Sequence, residues 1–173
     1  FDSLTAESAS LPGSTIGITV SNPSTNGLYA VTTTEDFISD SSPSTGKARV
    51  TFVAPASGNV EINFQSSLSI NDNLAAVLYL GLSTDGTTFG NGDVAGTQNT
   101  VYDTDTNRSG AKVTIHHKWI LPGLTPGTSY TYYVGADASN ATTFSILWGN
   151  NVNDLYYPPL IVEARALSSI TEM

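Results

Sequence analysis

The chain has 173 residues, 39% of them apolar and only 12% charged, and 15 acidic against 6 basic side chains leave a net charge of -9. That length suits one domain with a core large enough to need neither disulfide nor metal. The charge repels a phosphate backbone and an anionic lipid surface, which excludes nucleic acid as an expected partner, and no apolar run of 18 residues offers a membrane insertion.

The 23 Thr, 21 Ser and 13 Asn give a neutral surface of hydroxyls and amides, better suited to strands and turns than to helices. With no cysteine, the compartment stays open between cytosol, a secreted bacterial module and a virion. The opening FDSLTAESAS lacks the basic and apolar regions of a signal peptide. It begins with Phe, so a processed chain or a piece of a longer one is expected.

Residues 1–45 read as an N-terminal arm with edge strands. They hold two strand-like pieces, STIGITV and GLYAVTT, and a long turn in FISDSSPSTG. Residues 46–173 read as a β-sandwich domain. In KARVTFVAPASGNVEINFQ, Ala48, Val50 and Phe52 alternate with polar residues, as do Val60, Ile62 and Phe64. The period of two with PASGN between predicts a hairpin of half-buried strands.

NLAAVLYLGLSTDG is an apolar run read as a buried central strand, with a short helix as the alternative. TTFGNGDVAGTQNT reads as a loop and TVYDTDTNRSG as a strand and turn. AKVTIHHKWI alternates, placing Val113, Ile115, His117 and Trp119 on one face. TSYTYYVGA, TTFSILWG and LIVEARAL complete eight to ten short strands, with NNVNDLYYPP as a loop before the last. The pattern predicts an all-β, antiparallel sandwich, jelly-roll-like or Greek-key, with an extended N-terminal arm.

Leu124, Pro126, Gly127 and Tyr130, in LTPGTSY, resemble the tyrosine corner of Greek-key sandwiches such as fibronectin type III domains. There the chain crosses between sheets and a tyrosine hydroxyl bonds to upstream backbone. The ring fills the core and the hydroxyl is expected to satisfy a carbonyl.

Few residues suggest chemistry. His116 and His117 point to opposite faces of a strand, and no Cys or third His completes a zinc set. Asp103, Asp105 and Asn107, in DTDTN, resemble the start of a calcium loop, but Arg108 and Thr114 stand where such a loop needs Gly and Glu. A solvated turn is the expectation, with no metal and no cofactor. There is no nucleophile elbow or phosphate-binding Gly loop. Glu61 and Glu163 alternate with apolar residues and are expected to face outward, so no catalytic residue is assigned. Trp148, Asn150, Asp154 and Tyr156, with Tyr157, combine aromatic rings and polar groups as a sugar platform does. The preferred reading is plainer: Trp148 ends a core strand, and Tyr157-Pro-Pro packs the entry to the last one. Two glycosylation sequons, at Asn107 and Asn140, are of a kind that arises by chance in such a composition.

The run HHKWILPGLTPGTSYTYYVGADASNATTFSILWGNNVNDLYYPPLIVEARAL resembles the terminal β-domain of bacteriophage structural proteins, as in tail fibres, fibre heads and capsid-decorating appendages of aquatic phages. TTTEDFISD and TGKARVTFVAPASGNVEI match more loosely. The resemblance implies a non-enzymatic virion protein on the particle surface, a homotrimer that contacts other virion proteins and attaches to a host surface, with a host glycan as a further partner. It transfers no site residue. The alternative function is a carbohydrate-binding module of a secreted bacterial protein, and a small glycan-degrading enzyme is a third. The last strand has one apolar face, Leu160, Val162, Ala164 and Ala166. Its other face, Ile161, Glu163, Arg165 and Leu167, suits a neighbouring subunit or water.

Overall fold

The computed structural model describes residues 11–21, 27–39, 46–90, 92–105, 108–150 and 156–168. Among these the chain is all-β. The strands are β1 (Thr15–Val20), β2 (Gly27–Ala30), β3 (Asp36–Phe37), β4 (Arg49–Val53), β5 (Val60–Ile70) and β6 (Ala76–Ser83). They continue with β7 (Asn99–Thr104), β8 (Lys112–Leu121), β9 (Ser129–Ala138), β10 (Phe144–Asn150), β11 (Tyr156–Tyr157) and β12 (Ile161–Ala166).

These strands form two antiparallel sheets. The seven-stranded sheet runs β1-β12-β5-β10-β11, with β8 along the other edge of β5 and β2 on β10. The five-stranded sheet runs β3-β9-β6-β7, with β4 also on β9. Because side chains alternate across a strand, one face of each sheet is free to turn inward. Val60, Ile62 and Phe64 of β5, Ile146 of β10 and Val162 of β12 meet Leu78, Leu80, Val134 and Val50 from the other sheet in one core. β6 sits between β7 and β9, so the apolar run is a central strand and not a helix.

The alternation around residues 48–64 is as expected, but the pairing is not. β4 pairs with β9 in one sheet, and β5 with β8, β12 and β10 in the other. The PASGN turn therefore carries the chain between sheets and does not close a hairpin. Period two specifies which face is buried but not which strand is the neighbour. A second crossover, from β8 to β9, lies beside the first. Leu124 N–H donates to Gly58 O at 2.8 Å, Gly127 N–H to Ala54 O at 2.9 Å and Ala54 N–H to Thr128 O at 2.9 Å. The two corners thus satisfy each other's backbone groups, which neither could do alone.

Of the expected arm, residues 15–21 and 27–39 lie within the sandwich. β1 pairs with β12, β2 with β10 and β3 with β9, and Val31 and Ile38 are core residues. The first ten residues of the expected arm lie outside the described residues.

Candidate interaction surface

The corner residues come together as the sequence suggests. Tyr130 stacks near Tyr132 and Phe52, and Leu124 packs partly buried on the core. Pro126 and Gly127 form the exposed tip; Gly127 has φ +77°, which glycine adopts without strain. The hydroxyl works in the opposite sense to expectation. Tyr130 Oη accepts a hydrogen bond from Thr125 N–H at 3.1 Å, at an exposed position.

The less favoured reading, a sugar platform, lacks its largest ring. Trp148 is only 5% exposed and belongs to the core. It pairs with Gly27 on β2, where a Cβ would fall 1.7 Å from the indole. The missing side chain is what lets the ring lie flat inside the sheet. Asp154 lies outside the described residues. Asn150 and Tyr156 are placed only as paired strand positions. Every Phe, Tyr and Trp side chain among those described is buried or half-buried.

Asp103 is an exposed residue of β7. Asp105 forms an ion pair with Arg108 at 3.3 Å, with both side chains largely exposed. Asn107 lies outside the described residues. No group of three metal-ligating side chains occurs among the described residues. His116 is exposed, whereas His117 points inward, edge-on to Trp119 with ring centroids 4.6 Å apart. Burial lowers the His117 pKa, and its buried Nε2 has no partner.

An acidic cluster has no mark in the sequence, because its three members come from three separate segments. Glu35 Oε1 lies over Gly81, and Asp93 and Asp137 are near enough to repel it. Burial, then these two charges, raises the Glu35 pKa from 4.5 to about 7. Burial also raises Asp137, although Gln98 Nε2 donates to it at 3.3 Å. An inter-sheet cleft of about 280 Å³ opens elsewhere, lined by Val94, Trp119, Leu121, Leu124 and Tyr132, and has no carboxylate in its wall. The perturbed acids therefore do not line it.

The outer face of the seven-stranded sheet is the most ordered surface feature. Strand register lays it out as rows four residues wide. One row is Lys118, Asn63, Glu163 and Ile18, the next His116, Gln65, Ile161 and Val20. A third is Thr114, Ser67, Leu147 and Leu28, of which Ser67 and Leu147 are buried. Along the β8 side the residues of these rows are basic or polar, with the exposed Ile120 beyond them; along the β1 and β2 side they are aliphatic. Ile18, Val20 and Leu28 are 56%, 48% and 52% exposed.

Charges on this face are paired. Lys118 Nζ bridges both Glu61 oxygens, at 3.2 and 3.3 Å. Arg165 meets Glu163 at 2.9 Å. Burial pushes the Glu163 pKa up, but hydrogen bonds from Arg165 and Thr15 outweigh it, and the net shift is down. Glu61 and Glu163 do face outward, yet their side chains are only 15% and 14% exposed beneath these cations.

No protein-family model matches the chain, and no curated protein matches it. One solved structure similar to it is the Clostridium thermocellum N-terminal endo-1,4-β-D-xylanase 10B, comprising CBM22-1 and GH10 modules complexed with xylohexaose. The TM-score is 0.34 at 12% identity, and the match covers 94% of this chain but spans only 30% of that one. A likeness at that score carries no conclusion about this chain.

Proposed function

We propose that this chain is a non-enzymatic structural protein that works by assembly: a virion module, of the bacteriophage fibre-head or capsid-decorating kind, joined to further copies and to other particle proteins. One observation carries the reading. The described large apolar residues left exposed are all aliphatic, and every described Phe, Tyr and Trp side chain is buried or half-buried. Aliphatic patches on a rigid sheet suit a protein partner, whereas a sugar platform stacks pyranose rings on exposed aromatics. The long resemblance from HHKWI to VEARAL supports the particle context, and the charge of -9 keeps nucleic acid outside it.

The test is absolute mass in solution by light scattering, followed by titration with soluble polysaccharides. Assembly predicts a multiple of the 18.1 kDa chain, a homotrimer where it follows the phage appendages it resembles. A monomer that binds glycan at micromolar to millimolar concentration would replace this reading with a carbohydrate-binding module.

A further inference from the structure

We infer that residues 84–90 are a strap over the outer face of the five-stranded sheet, one that lifts off that face when the Glu35 carboxyl becomes charged. This goes beyond the assembly reading and does not rest on it.

A floor of glycine makes the seat. Register sets Phe37, Gly135 and Gly81 side by side across β3, β9 and β6. Their chain neighbours Ile38, Val134, Ala136, Leu80 and Leu82 are core residues, so this row faces outward. Two adjacent glycines leave a trough there. The Phe89 ring fills one half, since a Cβ on Gly135 would fall 2.3 Å from it. The Glu35 carboxyl fills the other, 2.3 Å from a Cβ on Gly81. Phe37 lies outside the core cluster yet is only 4% exposed. Phe89 stands edge-on to it, with ring centroids 5.1 Å apart. Ser83, on the same face, is fully buried, and its hydroxyl donates to Asp85 O at 3.4 Å.

Little holds the strap down. Among the described residues, none of 85–90 makes a backbone–backbone hydrogen bond to the sheet. Its attachments are the Phe89 ring, Lys47 Nζ donating to Gly86 O, and Gly90 N–H donating to Asp93 Oδ1 at 2.8 Å. A segment held by side chains and few backbone bonds opens without the rest of the fold.

Charge is set against the last attachment. Asp93 pairs with Ser83, two residues along β6 from the Gly81 beneath Glu35. Asp137 pairs with Tyr79, two residues the other way. Glu35 therefore stands between two carboxylates, with Asp36 beside it in the chain and the Tyr29 hydroxyl within its field. The cation of this region, Lys47, lies over the Phe37 ring at 3.7 Å. Burial and the two carboxylates raise the Glu35 pKa to about 7. Above that pH a third negative charge presses on Asp93, which carries the Gly90 anchor. Opening relieves both the burial and the repulsion, so charge on Glu35 and an open strap favour each other.

A thiol under the strap reads its opening, since the chain has no other. The rate at which Ser83→Cys reacts with a soluble aromatic disulfide, divided by the rate for the unfolded chain at the same pH, gives the open fraction. With Glu35 near 7 when covered and 4.5 when free, that fraction should rise about tenfold between pH 6 and 8. Combined with Glu35→Gln, it should stay flat. Ala136→Cys, in the core, should react roughly 100-fold more slowly at both pH values. A thiol at position 83 no faster than the core thiol, or an equal rise with Glu35→Gln, overturns the strap. If Ser83→Cys does not fold, hydrogen exchange at Thr84 N–H, which donates to Gly92 O at 2.9 Å, reads the same opening in the wild-type chain. Val134 N–H, bonded to Ala48 O, is then the core reference, and the same outcomes decide.

Discussion

At the scale of single residues, the corner and the acidic cluster make separate predictions. Tyr130 Oη holds Thr125 N–H at a position open to water, so removing the hydroxyl leaves a donor that solvent can satisfy. Tyr130→Phe should therefore cost about 0.5–1.5 kcal/mol in denaturant unfolding. A loss near 3 kcal/mol would mean a fully enclosed hydroxyl. The corner was legible because Pro-Gly and tyrosine spacing are local. The direction of its hydrogen bond was not, because it depends on which backbone group the neighbouring crossover has already satisfied.

Glu35 gives a pH dependence. Its folded pKa, about 7, stands above the ordinary 4.5, so the folded state binds the proton more tightly than the unfolded chain does. This contribution to stability is fully present below pH 4.5 and is lost as pH rises through 7. Asp137, also raised, acts with the same sign. Glu35→Gln should flatten the fall in melting temperature between pH 4.5 and 7. An unchanged slope in the variant would remove Glu35 as its source. Nothing in the sequence marks this cluster, since residues 35, 81, 93 and 137 share no local pattern.

At the scale of elements, the strands were legible and their partners were not. Alternation at Val50, Phe52, Val60, Ile62 and Phe64 identifies inward faces correctly, as their near-complete burial shows. It is silent on neighbours, so two strands joined by a short turn looked like a hairpin while belonging to opposite sheets. The same limit hid the outer face: Ile18, Glu163, Asn63 and Lys118 form one row although they are scattered over a hundred residues. Trp148 shows how an element fixes a residue's role. On β10 it faces inward over Gly27, so Trp148→Ala should cost about 3–5 kcal/mol as a core deletion. A ring that served a surface site would cost little stability when removed.

For the molecule as a whole, the balance is between a strongly acidic body and one sheet face with paired charges and exposed aliphatics. A sandwich of this size needs no partner to fold, so the face is free to be spent on association. The aliphatic side of that face is the part whose burial would hold copies together, at roughly 25 cal/mol per Å²; its salt bridges, already paired within one chain, contribute register more than affinity. Placing a carboxylate at its centre should therefore separate the copies without unfolding them, because Val20 is about half exposed on an edge strand.

The measurement that tests this most directly is sedimentation equilibrium of the wild-type chain beside Val20→Asp. The expected result is a wild-type mass at two or more times 18.1 kDa and a folded Val20→Asp monomer at 18.1 kDa. Equal masses for the two proteins, with both folded, would contradict it.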